Sequence, residues 1–390
     1  MKILIAIGFL VCLAPKQLHK DSLSARTREM LRSRVIREAK AALRLEPVTI
    51  TAYPASRSTG TRHDFYSEGD YWWPDPANLQ GPYIQRDGLS NPANFVAHRQ
   101  VLIRFSKLTG ALASAYLLTG EERYAVQALR HLKAWLVEPA TLMNPSLAYA
   151  QAVKGRFTGR GIGIIDTIHL MEVARAIMVF GGSTLFQKEM GALTGWFERY
   201  LHWLNTHPYS KDEMNAKNNH GTCWVMQVAC FSRLTGNKPL LDLCRQRFRE
   251  ILLPGQMAAD GSFPLEIKRT KPYGYSIFNL DAMVMCCLLL SDGENDLWNY
   301  ALPDGRNIRR ALNFLEPYLR NKNSWPYPRD VMYWDEWPVA SPGLLFSAIK
   351  FENKSWFDTW SGLNHQPAND EIIRNLPVRN PLLWLDLVNP

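Results

Sequence analysis

Lys217-Asn218-Asn219-His220-Gly221-Thr222-Cys223-Trp224 opens a segment that continues through Val225, Val228, Ala229, Phe231 and Leu234 and stops at Thr235-Gly236. Its apolar residues recur at helical spacing, and its polar residues are gathered at the start. One Asn there is explained as a cap, whose side-chain oxygen accepts an orphan backbone N–H. An Asn-Asn-His triplet exceeds what a cap needs. The surplus either presents groups to a ligand from a rigid helix end or leaves a capped helix whose His bonds to neighbouring backbone.

The way this helix ends is repeated elsewhere. Phe231-Ser232-Arg233-Leu234-Thr235-Gly236-Asn237-Lys238-Pro239 has the same apolar–Thr–Gly–polar order as Tyr116-Leu117-Leu118-Thr119-Gly120-Glu121-Glu122-Arg123-Tyr124. In each, Gly supplies the left-handed residue that ends one helix, and a second amphipathic helix follows. The spacing predicts helices over 24–45, 94–118, 122–137, 166–180, 184–205, 220–234, 238–252, 276–291, 306–319 and 340–351. Helical hairpins repeated at intervals of tens of residues indicate an all-α array. The fold class expected is an α/α toroid, an incomplete barrel of six or seven helical hairpins, as a single domain over 21–390. Runs rich in β-formers are missing between the helices, which argues against a parallel α/β fold.

Of 390 residues, 46% are hydrophobic and 21% charged, the balance of a globular protein rather than a disordered one. The net charge of +9 and a pI near 9.2 come from scattered cations such as Arg57, Arg62, Arg86, Arg99, Lys154, Arg156 and Arg160. Such an excess either steers a polyanion, nucleic acid or acidic polysaccharide, toward a groove or coats a solvated surface. Residues 1–13 combine a basic start with an apolar run, which fits a secretory signal over about 1–20 and a periplasmic or secreted protein. No other stretch reads as long and apolar enough to cross a membrane, so no stable insertion is expected. Cys223, Cys230, Cys244, Cys286 and Cys287 lie in apolar helical segments and read as small buried hydrophobes. No zinc signature, phosphate loop or nucleotide motif is present, and neither metal nor cofactor is expected.

Residues 48–92 have no periodicity but are rich in aromatics, including Asp70-Tyr71-Trp72-Trp73-Pro74-Asp75-Pro76. A long aromatic loop of this kind reads as an ordered lid or groove wall. Further polar, aromatic stretches fall at 146–165, 260–275 and 325–338. Lys268-Arg269-Thr270-Lys271-Pro272-Tyr273-Gly274-Tyr275-Ser276 places three cations and two phenols just before an apolar helix. Together with Asn219-His220 this set suits β-elimination on a uronic-acid polymer. Removing the C5 proton builds charge on the adjacent carboxylate, which Asn219, His220 and Arg269 would neutralise. Tyr275, its pKa lowered by nearby cations, would act as base and then acid. In a mannuronate-type residue the C5 proton and O4 share one side, so one Tyr serves both steps. In a guluronate-type residue His220 would have to be the base.

Asn218-Asn219-His220-Gly221, Asp260-Gly261-Ser262-Phe263-Pro264-Leu265-Glu266, Arg269 with Tyr275, and Tyr71-Trp72-Trp73-Pro74-Asp75-Pro76 together resemble the alginate lyase superfamily over roughly residues 50–350. The resemblance implies an α/α toroid and a metal-independent elimination, with Asn219, His220, Arg269 and Tyr275 as the catalytic set. The Trp72-Trp73-Pro74 block is more similar to the glucuronan- and mannuronan-lyase relatives. The Arg-to-Tyr spacing is one residue shorter than in pseudomonad enzymes, which leaves Tyr273 as a rival to Tyr275. Trp72, Trp73 and Trp334 are expected to stack on sugars, and Arg86, Arg160 and Lys268 to pair with carboxylates. Tyr273 completes the substrate-binding candidates.

Three other readings remain at this level. A glycoside hydrolase on the same fold needs paired carboxylates, for which Asp75, Asp87, Asp260, Glu266, Asp330 and Asp335 are available. A polyuronate-binding protein would use the same groove without turnover. Nucleic-acid binding is suggested by charge alone. The sequence leaves the oligomeric state open.

Overall fold

The computed structural model describes residues 22–388; the expected signal segment and Cys12 lie outside them. In order, the helices are α1 (Leu23–Ala42), α2 (Ala97–Thr119), α3 (Glu122–Leu136), α4 (Leu170–Phe180), α5 (Thr184–Gln187), α6 (Met190–Thr206), α7 (Pro208–Met214), α8 (Asn219–Thr235) and α9 (Lys238–Arg247). They continue with α10 (Leu253–Gln256), α11 (Pro264–Ile267), α12 (Pro272–Leu290), α13 (Ile308–Arg320), α14 (Pro342–Lys350), α15 (Lys354–Gly362), α16 (Asp370–Arg374) and α17 (Leu385–Val388). Helices α2, α4, α8, α12 and α14 pack on one another in succession. Four of the five carry an outer partner: α3 on α2, α6 and α9 on α8, α13 on α12, and α15 on α14, while α1 packs on α2 and α14. The result is an α/α toroid.

Sequence explains the layering. Every residue of α12 is buried, and α8 is buried almost throughout, because apolar residues cover all sides of an inner helix. The outer helices carry a polar face, as in α13, where only Ile308, Ala311, Leu312, Leu315, Glu316 and Leu319 are buried. Gly120 and Gly236 both take φ 68° and close α2 and α8, as the repeated motif predicts. Two helices, α2 and α12, are in fact long and apolar enough to cross a membrane, contrary to the sequence reading. The fold uses α12 entirely, and α2 largely, as inner-ring core.

Several boundaries differ from expectation. The helix read as 184–205 breaks after Gln187, where Phe186 turns in to stack on Phe180 with ring centroids 4.9 Å apart. The start of the 166–180 segment is a 3₁₀ turn over Gly161–Thr167. Helix 238–252 passes through a π turn, Phe248–Leu252. Helix α12 begins at Pro272 rather than 276, since Pro suits a first helical position and the Asp330 carboxylate accepts the Tyr273 and Gly274 N–H groups at 2.8 and 2.9 Å. Tyr275 therefore sits inside the first turn instead of on a loop. Residues 48–92 contain β1 (Tyr66–Glu68), β2 (Trp72–Trp73) and β3 (Ile84–Gln85). β1 pairs in parallel with β4 (Tyr149–Ala152), and β2 pairs antiparallel with β3.

Candidate active site

Helix α8 starts with Asn219, and its entry is tight. A Cβ on Gly221 would stand 2.2 Å from the Ala216 carbonyl oxygen, so only Gly follows His220 there. Asn218, at the cap position, makes no side-chain capping bond. The capping function comes from Glu266 on α11, whose two oxygens each accept at 2.7 Å, one from the Asn219 backbone N–H and one from Asn219 Nδ2. Asn219 is thus locked in orientation, with one amide hydrogen still to give. His220 Nδ1 lies 2.7 Å from Glu213 Oε1 on α7. Burial lowers the imidazole pKa, but the Glu213 charge and hydrogen bond outweigh it and the net shift is upward. A His220 that keeps its proton on Nδ1 presents Nε2 toward the cleft.

Arg269 follows α11. It donates to Asp87 through Nη2 at 2.9 Å and lies over the Tyr275 ring at 4.7 Å. Tyr275 Oη is 2.7 Å from Tyr71 Oη, which is in turn 3.2 Å from Glu371 Oε1. The single hydroxyl proton of Tyr71 can serve either neighbour. Glu371 also accepts from Lys271 Nζ at 2.6 Å and pairs with Arg374 at 3.1 Å. Burial would raise its carboxyl, yet Arg374 and Lys271 hold it below the usual range, so it is ionised. Tyr275 behaves oppositely to the expectation of a lowered pKa. Burial pushes the phenol well above its ordinary value, and Arg269 opposes this without overcoming it.

Asn219, His220, Arg269 and Tyr275 line one cleft, together with Trp72, Arg160, Tyr71, Gln151, Arg374 and Asn375. Arg160 donates to the Gln151 carbonyl at 2.8 Å and makes no ion pair among the described residues. Burial lowers it to about 10, which leaves it cationic at neutral pH. Trp72 lies between Arg156 and Arg160, each 5.5 Å from its ring.

The other candidates stand elsewhere. Tyr273 is fully buried, donates to the Tyr318 carbonyl at 2.9 Å and packs on Trp325 and Trp334. Two residues along a helix rotate by about 200°, so Tyr273 and Tyr275 must face opposite ways. Trp334 is thereby part of a core cluster. Trp73 donates to the Leu89 carbonyl outside the cleft, with exposed Arg86 over its ring, and Lys268 is exposed beyond the cleft wall.

Sequence reasoning missed Glu213, Glu371, Arg374 and the role of Tyr71. Tyr71 and Lys271 stood in quoted stretches, but nothing near residues 370–375 announced a buried ion-pair network. Of the six hydrolase candidates, Asp87 alone lines the cleft. The cleft's own carboxylates are Asp70, bound at 2.6 Å by Arg99 and also by Arg374, and Asp87, bound by Arg269. Burial raises both, but the cations outweigh it and hold both below the usual range, which suits neither for a general acid.

A family model described as "Alginate lyase" matches residues 49–325. The chain belongs to the alginate lyase family. It is a polysaccharide lyase. The crystal structure of an alginate lyase from Bacteroides ovatus is similar at 32% identity, covering 93% of this chain and 97% of that one, with a TM-score of 0.78. Alginate lyase A1-III from Sphingomonas species A1 shares the fold at 17% identity and a TM-score of 0.53, with 93% and 95% covered. A form of A1-III complexed with a tetrasaccharide aligns at 16% identity and a TM-score of 0.52, with 83% and 89% covered. Among curated proteins, none matches.

Proposed function

We propose that the cleft cleaves an alginate-type polyuronate by β-elimination, with Tyr275 moving the proton and Asn219, His220 and Arg269 neutralising the carboxylate beside C5. The observation that carries this reading is the convergence of these four side chains on one cleft, from α8, from the α11–α12 connection and from the first turn of α12. Negative charge developing on the carboxylate would meet the remaining Asn219 amide hydrogen, the His220 imidazole and the Arg269 guanidinium. The α8 N-terminus adds its own positive end. These donors are already fixed by Glu266, Glu213 and Asp87, so little reorganisation accompanies the reaction.

Tyr275 rests as a neutral phenol. To act as base it must lose that proton, and the Tyr71 hydroxyl at 2.7 Å together with the Arg269 guanidinium over its ring are the contacts that would stabilise the phenolate. The proton taken from C5 then returns to O4 as the glycosidic bond breaks, from the same side in a mannuronate-type residue. Arg160 is placed to receive a neighbouring carboxylate, and Trp72 to stack on a sugar face.

Ultraviolet absorbance during incubation with polymannuronate, polyguluronate, glucuronan and polygalacturonate tests the proposal. A rising signal on polymannuronate records the C4–C5 double bond that elimination creates. New reducing ends without that signal would replace it with hydrolysis, and neither would leave a binding protein.

A further inference from the structure

A second pocket opens between α1, α2, the start of α14 and the 363–381 segment, away from Tyr275. Arg34 from α1, Lys107 from α2 and Arg379 reach it together, beside His365 and Trp360. Among the described residues none of these three cations makes an ion pair. Arg34 has one hydrogen bond, from Nη1 to the His365 carbonyl at 2.8 Å, while its Nε is buried without a partner. Lys107 and the Arg379 guanidinium have none. The one carboxylate lining the pocket is Glu38, beyond ion-pair distance. The nearby Glu172 is already saturated, accepting from the Arg379 and Asn380 N–H groups and from Asn380 Nδ2.

These three cations are partly buried, and cations drawn out of water without a close ion-pair partner are costly, so structures normally pair them. Near the cleft Arg99 and Arg374 hold Asp70, and Lys271 holds Glu371, while Arg160 is the cleft's own cation without an ion pair among the described residues. Burial lowers the Arg34 and Arg379 pKa, and the charges of Glu38 and Glu172, beyond ion-pair distance, oppose this without overcoming it. An adjoining cavity shares Lys107 and Arg379 with this pocket and Asp70 and Arg374 with the catalytic cleft. That cavity also carries Arg99 and Arg104, with Asp70, Asp370 and Glu371 among its carboxylates.

We propose that the Arg34–Lys107–Arg379 pocket is a second, non-catalytic anion site that takes an oxyanion, either the carboxylate of a uronate sugar or a free inorganic oxyanion. Guanidinium forks bind such groups with two parallel hydrogen bonds, and the amides of Asn364 and Gln366 line the same pocket for hydroxyl or oxyanion contacts.

Calorimetric titration distinguishes the sources, using inorganic phosphate on the unmodified protein and dimannuronate on a Tyr275→Phe background. Lys107→Gln and Arg379→Gln are compared throughout. Lys107 is only partly buried and makes no bond, so its variant should melt like the parent in the absence of ligand. If the occupant is a sugar acid, dimannuronate binds with two sites, and either variant removes one or weakens it at least about fivefold. If it is a free oxyanion, phosphate binds and the same variants abolish the heat. Binding of both probes left unchanged by both variants would overturn the proposal, whatever the substrate of the cleft.

Discussion

At the head of α8 a carboxylate from another segment, Glu266, accepts the Asn219 N–H; at the head of α12 Asp330 does the same for Tyr273 and Gly274. Neither helix is capped by its own preceding side chain. The two heads then diverge. At α8 the adjacent residues Asn219 and His220 both reach the cleft, each held from behind by a glutamate. At α12 two tyrosines split: Tyr275 enters the cleft and Tyr273 enters the core. Borrowed caps leave the first-turn side chains free for other work, and helical rotation decides which of them can reach the substrate.

Exchanging the two phenols for Phe should break this comparison most sharply. Tyr275→Phe should lower turnover roughly 10²- to 10⁴-fold, the usual scale for a lost general acid–base, with little change in KM. Tyr273→Phe should keep turnover and lose about 1 kcal/mol of stability in urea unfolding, through the Tyr318 hydrogen bond. Equal losses of turnover would erase the distinction drawn between them. At α8, His220→Ala should cost roughly 10²- to 10³-fold in kcat/KM in steady-state assays, because a donor to the developing charge is removed. Removing the cap instead should touch stability. Asp330→Ala is expected to destabilise the protein by about 1–2 kcal/mol in thermal or urea melts, as for other lost helix caps.

The smallest effect is the pH dependence of the His220–Glu213 pair. The folded imidazole is held above its ordinary value, so the pair's contribution is complete below the unfolded value of about 6.5 and is lost as pH rises through the folded one. The stability gap between the parent and Glu213→Gln should therefore be widest in mild acid and narrow on going alkaline. A gap that widens with pH would mean that His220 is neutral in the folded protein.

The toroid was legible because its signals are local: helical apolar spacing and a Thr-Gly stop that recurs after α2 and α8. The cleft was legible where polar residues cluster within a few positions, as in Asn219-His220 and Arg269 to Tyr275. What escaped was whatever arrives from far along the chain. Asp87 lies 182 residues from Arg269, Glu371 100 from Lys271, and Glu266 47 from Asn219. No spacing rule connects such pairs. The pKa of Tyr275 was misjudged for a related reason: sequence showed the nearby cations but not the burial that outweighs them. Trp334, Trp73, Arg86 and Lys268 show that residue type suited to sugar binding does not fix which way a side chain faces.

In the proposed elimination Tyr275 moves the C5 proton in the cleft. This role is tested most directly by the ultraviolet trace of the parent protein and Tyr275→Phe on the same polymannuronate. A steep rise is expected for the parent and a nearly flat line for the variant, which still binds polymer in calorimetry. A variant trace as steep as the parent's would contradict it.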